Sequence, residues 1–139
     1  MFAEFEKIVH EKAEKDEPLN ADVFNKVYET IFRTYHSVNL IFDDEVKFGW
    51  SRIPHFYRPF YVYKYATGYT SAIIIADKIL SGDKAALENY LTFLKSGSSE
   101  KPLELLKIAG VDLTKPEPIA NALKIFSDLV DEFVELMEK

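Results

Sequence analysis

A chain of 139 residues without a single cysteine cannot build a disulfide scaffold, a thiolate metal site or a thiol nucleophile. It also lacks any apolar run near the ~18 residues that a membrane-spanning helix needs. Basic residues are in the minority, 17 against 23 acidic ones, for a net charge of −6. That sign works against non-specific binding of nucleic acid or of an anionic membrane. Glycine and proline are sparse, with five and six copies, so no linker rich in these residues divides the chain. The opening Met1-Phe2-Ala3-Glu4-Phe5-Glu6 is acidic and amphipathic, unlike a secretory leader. We expect a cytoplasmic protein with one helical domain over residues 1–139.

What is present is helical periodicity. Phe2, Phe5, Ile8 and Val9 form the apolar side of a first helix that stops by Pro18. Asn20 is placed to cap a second helix with the stripe Val23, Phe24, Val27, Tyr28, Ile31, Phe32 and Tyr35. Asp43 or Asp44 opens a short helix carrying Val46 and Trp50, which ends before Pro54. Arg58-Pro59 restarts a helix that runs through Lys78-Ile79-Leu80 to Gly82. Tyr61, Tyr63 and Tyr65 alternate as in a strand, but no partner strand with a turn signal occurs, so helix is the expectation.

Asp83 caps the next helix, with Leu87, Tyr90, Leu91 and Leu94 on one face and Gly97 at its end. Ser98 or Ser99 caps a short helix with Leu103, Leu105, Leu106 and Ile108, closed by Gly110. A last helix starts near Pro116 to Pro118 and buries Ile119, Leu123, Phe126, Leu129, Val130, Phe133 and Met137. The expected fold is all-α, about seven helices in a single bundle-like unit.

Few groups could carry chemistry. His10 has Glu6 and Glu14 at i−4 and i+4, a spacing that could hold zinc weakly, but a solvated helix face is the commoner outcome. His36 reads as a side chain capping a helix end. Ser96 to Ser99 read as helix punctuation, because no G-x-S-x-G surrounds them. The aromatic residues are unevenly spread. Of eight Tyr and eleven Phe, five Tyr and two Phe fall between Pro54 and Tyr69, together with His55. A phenol can bury its ring and leave its hydroxyl as a donor. Several hydroxyls and one imidazole on a cleft could donate to a peptide carbonyl or to the oxyanion formed on its attack. The competing reading is a tyrosine-rich core helix.

The run Trp50-x-Arg52-Ile53-Pro54-His55-Phe56-Tyr57-x-x-Phe60-Tyr61-Val62-Tyr63-x-Tyr65-Ala66-Thr67-Gly68 resembles the C-terminal part of the oligoendopeptidase F family, thimet-oligopeptidase-like zinc metallopeptidases. Met1 to Glu14, Gly82-Asp83, Tyr90 to Gly97, Pro102 to Lys107, Ala109 to Asp112 and Pro116 to Ile119 resemble the family in the same order. The resemblance implies the C-terminal part of a helical metallopeptidase catalytic domain, one wall of a channel for short peptides. It implies that His55 and Tyr57 bind the substrate backbone and that Tyr63 helps stabilise the oxyanion. Phe60, Tyr61 and Tyr65 are further substrate-binding candidates, and Arg52 or Arg58 could pair with a substrate carboxylate. Phe60 stands where thimet-type relatives carry Tyr, which moves it toward packing. The family's zinc ligands and general base lie in an H-E-x-x-H helix and a following Glu, upstream of the matching stretch. The resemblance therefore implies no metal or cofactor in this chain, zinc in the complete enzyme, and no activity without the missing N-terminal portion. Exposed channel-wall surface implies a homodimer. The alternative is a non-enzymatic helical module that binds peptides or ligands, or oligomerises.

Overall fold

The computed structural model describes residues 1–36 and 38–138. Six α-helices and two 3-10 helices make up its regular structure, and no strand occurs among the described residues. The all-α expectation holds. The chain divides into two compact units, Met1–Lys64 and Tyr65–Lys139, with the boundary in the first turn of α3.

The first unit contains α1 (Phe2–Glu14), α2 (Ala21–Tyr35) and two 3-10 helices, Asp44–Arg52 and Pro54–Tyr57. Asn20 caps α2 as expected, its Oδ1 accepting from the Val23 N–H at 3.0 Å. His36 closes the same helix by donating from Nδ1 to the Phe32 carbonyl at 2.7 Å. The core is Phe5, Tyr28 and Ile31, with Phe2, Val9, Phe24, Trp50 and Phe56 packed around it. Phe5 meets Tyr28 edge-on at 5.6 Å, a favoured geometry because ring edges are positive and faces negative. Gly49 lets the first 3-10 helix approach α2. A Cβ there would sit 2.7–2.9 Å from the Tyr28 ring and hydroxyl. Tyr35, expected on the buried stripe, is exposed at the last turn of α2.

The second unit contains most of α3 (Tyr63–Leu80), then α4 (Lys84–Ser96), α5 (Pro102–Ile108) and α6 (Glu117–Met137). Asp83 caps α4 by accepting from the Ala86 N–H at 3.0 Å. Ser98 and Ser99 do not cap α5. Lys101 occupies that place, and Pro102 starts the helix where its missing N–H costs nothing. Gly110 ends α5 at φ +79°, and the Lys78 ammonium donates to its carbonyl at 2.9 Å. Ile74, Ile75, Ala109, Val111 and Ala122 form the core.

Helix α6 overturns one expectation. Ile119, Leu123, Phe126, Leu129, Val130, Phe133 and Met137 are all exposed, and only Ala122 is buried. The helix joins the core through Ala122, while its large apolar stripe stays exposed. On α4, Leu87, Leu91 and Leu94 are likewise exposed, whereas Tyr90 and Phe93 pack on the core. No helix among the described residues is long and apolar enough to cross a membrane.

Candidate functional site

The aromatic stretch is not one helix. Pro59 does not restart a helix. The second 3-10 helix ends at Tyr57, Arg58 is extended, and α3 begins at Tyr63. Between them Phe60 takes φ +55°, a left-handed conformation that L-residues adopt at a cost of roughly 1–2 kcal/mol. Something must hold it there. The Phe60 N–H donates to Glu6 Oε1 at 2.7 Å, and the Phe60 ring lies 4.4 Å from that of His10. A hydrogen bond to a charged group contributes about 1.5–3 kcal/mol, enough to offset the strained turn. Phe60 therefore lies outside α3, in the turn that precedes it.

Glu6 is the residue that sequence reasoning passed over. A solvated Glu/His face would expose it, but it is only 3% exposed. Its one sequence signal is its neighbour Phe5, which shares its burial on α1. His10 donates from Nδ1 to the Glu6 carbonyl at 2.7 Å, while Glu14 is exposed. Glu6 and His10 are thus engaged with the chain itself. No group of three His, Cys, Asp or Glu among the described residues could hold a metal ion.

The remaining candidates fall on three elements. His55 lies half-buried in the second 3-10 helix and stacks on Tyr61, with centroids 5.4 Å apart and planes within 18°. The Lys64 ammonium sits 5.5 Å from the Tyr61 ring centroid, within cation–π range. His55 and Tyr61 are therefore brought together. Tyr57 closes the same 3-10 helix and is 77% exposed, and Tyr63 opens α3 at 49% exposed. Tyr65 belongs to the second unit and is also exposed. Phe60 is half-exposed with a backbone role. Arg52 is close enough to Tyr28 for its charge to act on the phenol. Burial pushes the Tyr28 hydroxyl above its ordinary pKa, and the Arg52 charge opposes that rise. Arg58 is exposed on the extended segment. Exposed phenols on a held backbone can donate hydrogen bonds to a polar ligand.

Comparison with known proteins gives this arrangement a context. Residues 1–125 match peptidase family M3. Oligopeptidase PepF of Bacillus subtilis is 47% identical over 139 residues, which is all of this chain and 21% of that protein. An oligoendopeptidase F homolog of Borreliella burgdorferi is 44% identical over 138 residues, 23% of its length. The crystal structure of oligoendopeptidase-F from Enterococcus faecium superposes with a TM-score of 0.89 at 42% identity, over 98% of this chain and 26% of that one. The chain spans about a fifth to a quarter of the length of these relatives.

Proposed function

The chain belongs to peptidase family M3, and from that premise we propose that it is the C-terminal portion of a zinc endopeptidase of the oligoendopeptidase F type, acting on short peptides in the cytoplasm. Its part is to bind and orient. The His55 imidazole and the Tyr57 hydroxyl hydrogen-bond the peptide backbone, with Phe60 and Tyr61 flanking it, and Tyr65 is a further substrate-binding candidate on the second unit. The Tyr63 hydroxyl donates to the carbonyl oxygen as negative charge develops there. A donor aimed at such an oxygen contributes about 3–4 kcal/mol when water is excluded. Zinc and the general base belong to the missing N-terminal portion of the enzyme, and this chain alone is inactive.

The observation that carries this reading is the exposure of Tyr57 and Tyr63. A tyrosine-rich core helix would bury both. The exposed stripe of α6 supports the same reading, since the rest of the enzyme supplies a cover for it. Without that cover the chain is expected to self-associate, because apolar patches of several hundred Å² seek partners.

The test is reconstitution. The purified chain is mixed with PepF of Bacillus subtilis lacking the matched 139 residues. Cleavage of a fluorogenic peptide is then followed with and without a chelator. We expect no cleavage by either part alone and chelator-sensitive cleavage by the mixture. Cleavage by the chain alone, or none by a mixture shown to associate, contradicts the proposal.

A further inference from the structure

We propose that the first unit holds a pocket for one apolar side chain of a bound peptide, lined by Phe5, Val9, Phe24, Trp50, Phe56 and Tyr57. The assignment to a peptide rests on the reading above; the pocket itself rests on geometry. Its volume is about 140 Å³. A volume of roughly that size has room for a benzene-sized guest. A benzyl or isobutyl group matches it.

The walls come from four elements and are fixed by ring-to-ring contacts. Phe5 and Val9 lie one turn apart on α1, and Phe24 comes from α2. Trp50 and the pair Phe56-Tyr57 come from the two 3-10 helices. Phe56 lies 5.0 Å from Phe5, and Phe24 lies 6.5 Å from Phe5 and 4.9 Å from Trp50, centroid to centroid. The Trp50 indole N–H donates to Asn25 Oδ1 at 2.8 Å, so its polar atom is already partnered. No buried side-chain polar atom of the described residues lacks a partner. A water there would find few partners, and a charged side chain would lose its hydration without replacement. The class of guest is therefore aliphatic or aromatic, and uncharged.

The pocket also has a mouth. Tyr57 lines it while remaining 77% exposed, so the cavity reaches solvent at that residue. Tyr57 is next but one to His55, and both are assigned above to the peptide backbone. A main chain held by these two side chains would carry one side chain past Tyr57 into the pocket. Phe5 and Trp50, far apart in sequence, thus become specificity-determining residues for a site built by Pro54–Tyr57.

The experiment uses the chain alone, and Trp50 is its only tryptophan. Methyl and indole NMR signals are followed while benzene, then N-acetyl-phenylalanine methylamide, then N-acetyl-aspartate methylamide is added. We expect saturable shifts at Val9 and Trp50 with the first two and none with the third. Val9→Phe, which fills the pocket, should weaken benzene binding at least tenfold. Wild-type chain that shows no saturable shift at Val9 and Trp50 up to the solubility of benzene overturns the pocket, whether or not the variant folds. Benzene shifts without phenylalanine-amide shifts, or equal shifts from the aspartate amide, overturn the peptide side-chain assignment. If the reconstituted enzyme fails to cleave but these shifts appear, the catalytic reading fails and the pocket stands.

Discussion

Glu6 and Phe60, 54 residues apart, are joined by a hydrogen bond of 2.7 Å from the Phe60 backbone N–H to a buried carboxylate oxygen. This one bond ties the first helix to the turn that separates Tyr57 from Tyr63. Removing it leaves a left-handed phenylalanine with no acceptor for its N–H. Glu6→Ala should destabilise the chain by about 1–3 kcal/mol. Glu6→Gln, which keeps an oxygen acceptor, should cost less. Urea denaturation of the two variants checks the order.

Gly49 and Tyr28 make a second tight contact. An alanine Cβ at position 49 would fall 2.7 Å from Tyr28 Cε1 and 2.8 Å from its hydroxyl. Tyr28 is buried and held by Phe5 and Phe2, so its ring has little room to yield. Gly49→Ala should cost about 1–3 kcal/mol through overpacking, read as a lower denaturation midpoint with an unchanged slope.

Acid should weaken the second unit at Asp112. Its carboxylate accepts from the Thr114 hydroxyl at 2.6 Å and from the Thr114 N–H at 3.1 Å. These bonds hold its pKa below the usual aspartate value. The folded chain thus binds this proton less readily than the unfolded chain. The stabilisation is present above the unfolded value of about 3.9 and is lost as pH falls through the lower folded value. Thr114→Val should flatten the acid limb of a stability-against-pH curve measured by thermal melting.

Alkali should weaken the first unit at Tyr28, with the opposite sign. Burial raises this phenol above its ordinary pKa. The neutral form is favoured in the folded chain, so its contribution is intact below the unfolded value of about 10. It fades as pH rises through the higher folded value. Tyr28→Phe should remove that fading from a denaturation series between neutral pH and pH ~11.

Much of this fold was legible because much of it is local. Asn20, Asp83 and His36 act within one helical turn, and sequence placed all three. Gly97 and Gly110 end α4 and α5 as their position suggested. The start of α3 was not legible. Arg58-Pro59 is a good helix opening by local rules, but Phe60 takes a left-handed φ with its N–H held by the buried Glu6 carboxylate, and the helix begins only at Tyr63. A bond across 54 residues leaves no trace in either segment read alone. The α6 stripe failed for another reason. Periodicity reports that a face is apolar, but not which element covers it, and Ala122 makes the contact instead. Of the candidate site, the residue types were readable, and the pairing of His55 with Tyr61 was not.

The central claim is that the Tyr63 hydroxyl serves the reaction and not the fold. The direct measurement is the turnover number of Tyr63→Phe in the reconstituted enzyme, with its melting temperature taken alongside. Loss of one oxyanion donor should lower turnover by roughly 100-fold or more and leave melting unchanged, since Tyr63 is half-exposed. Turnover equal to that of wild type, or a variant that no longer folds, would contradict it.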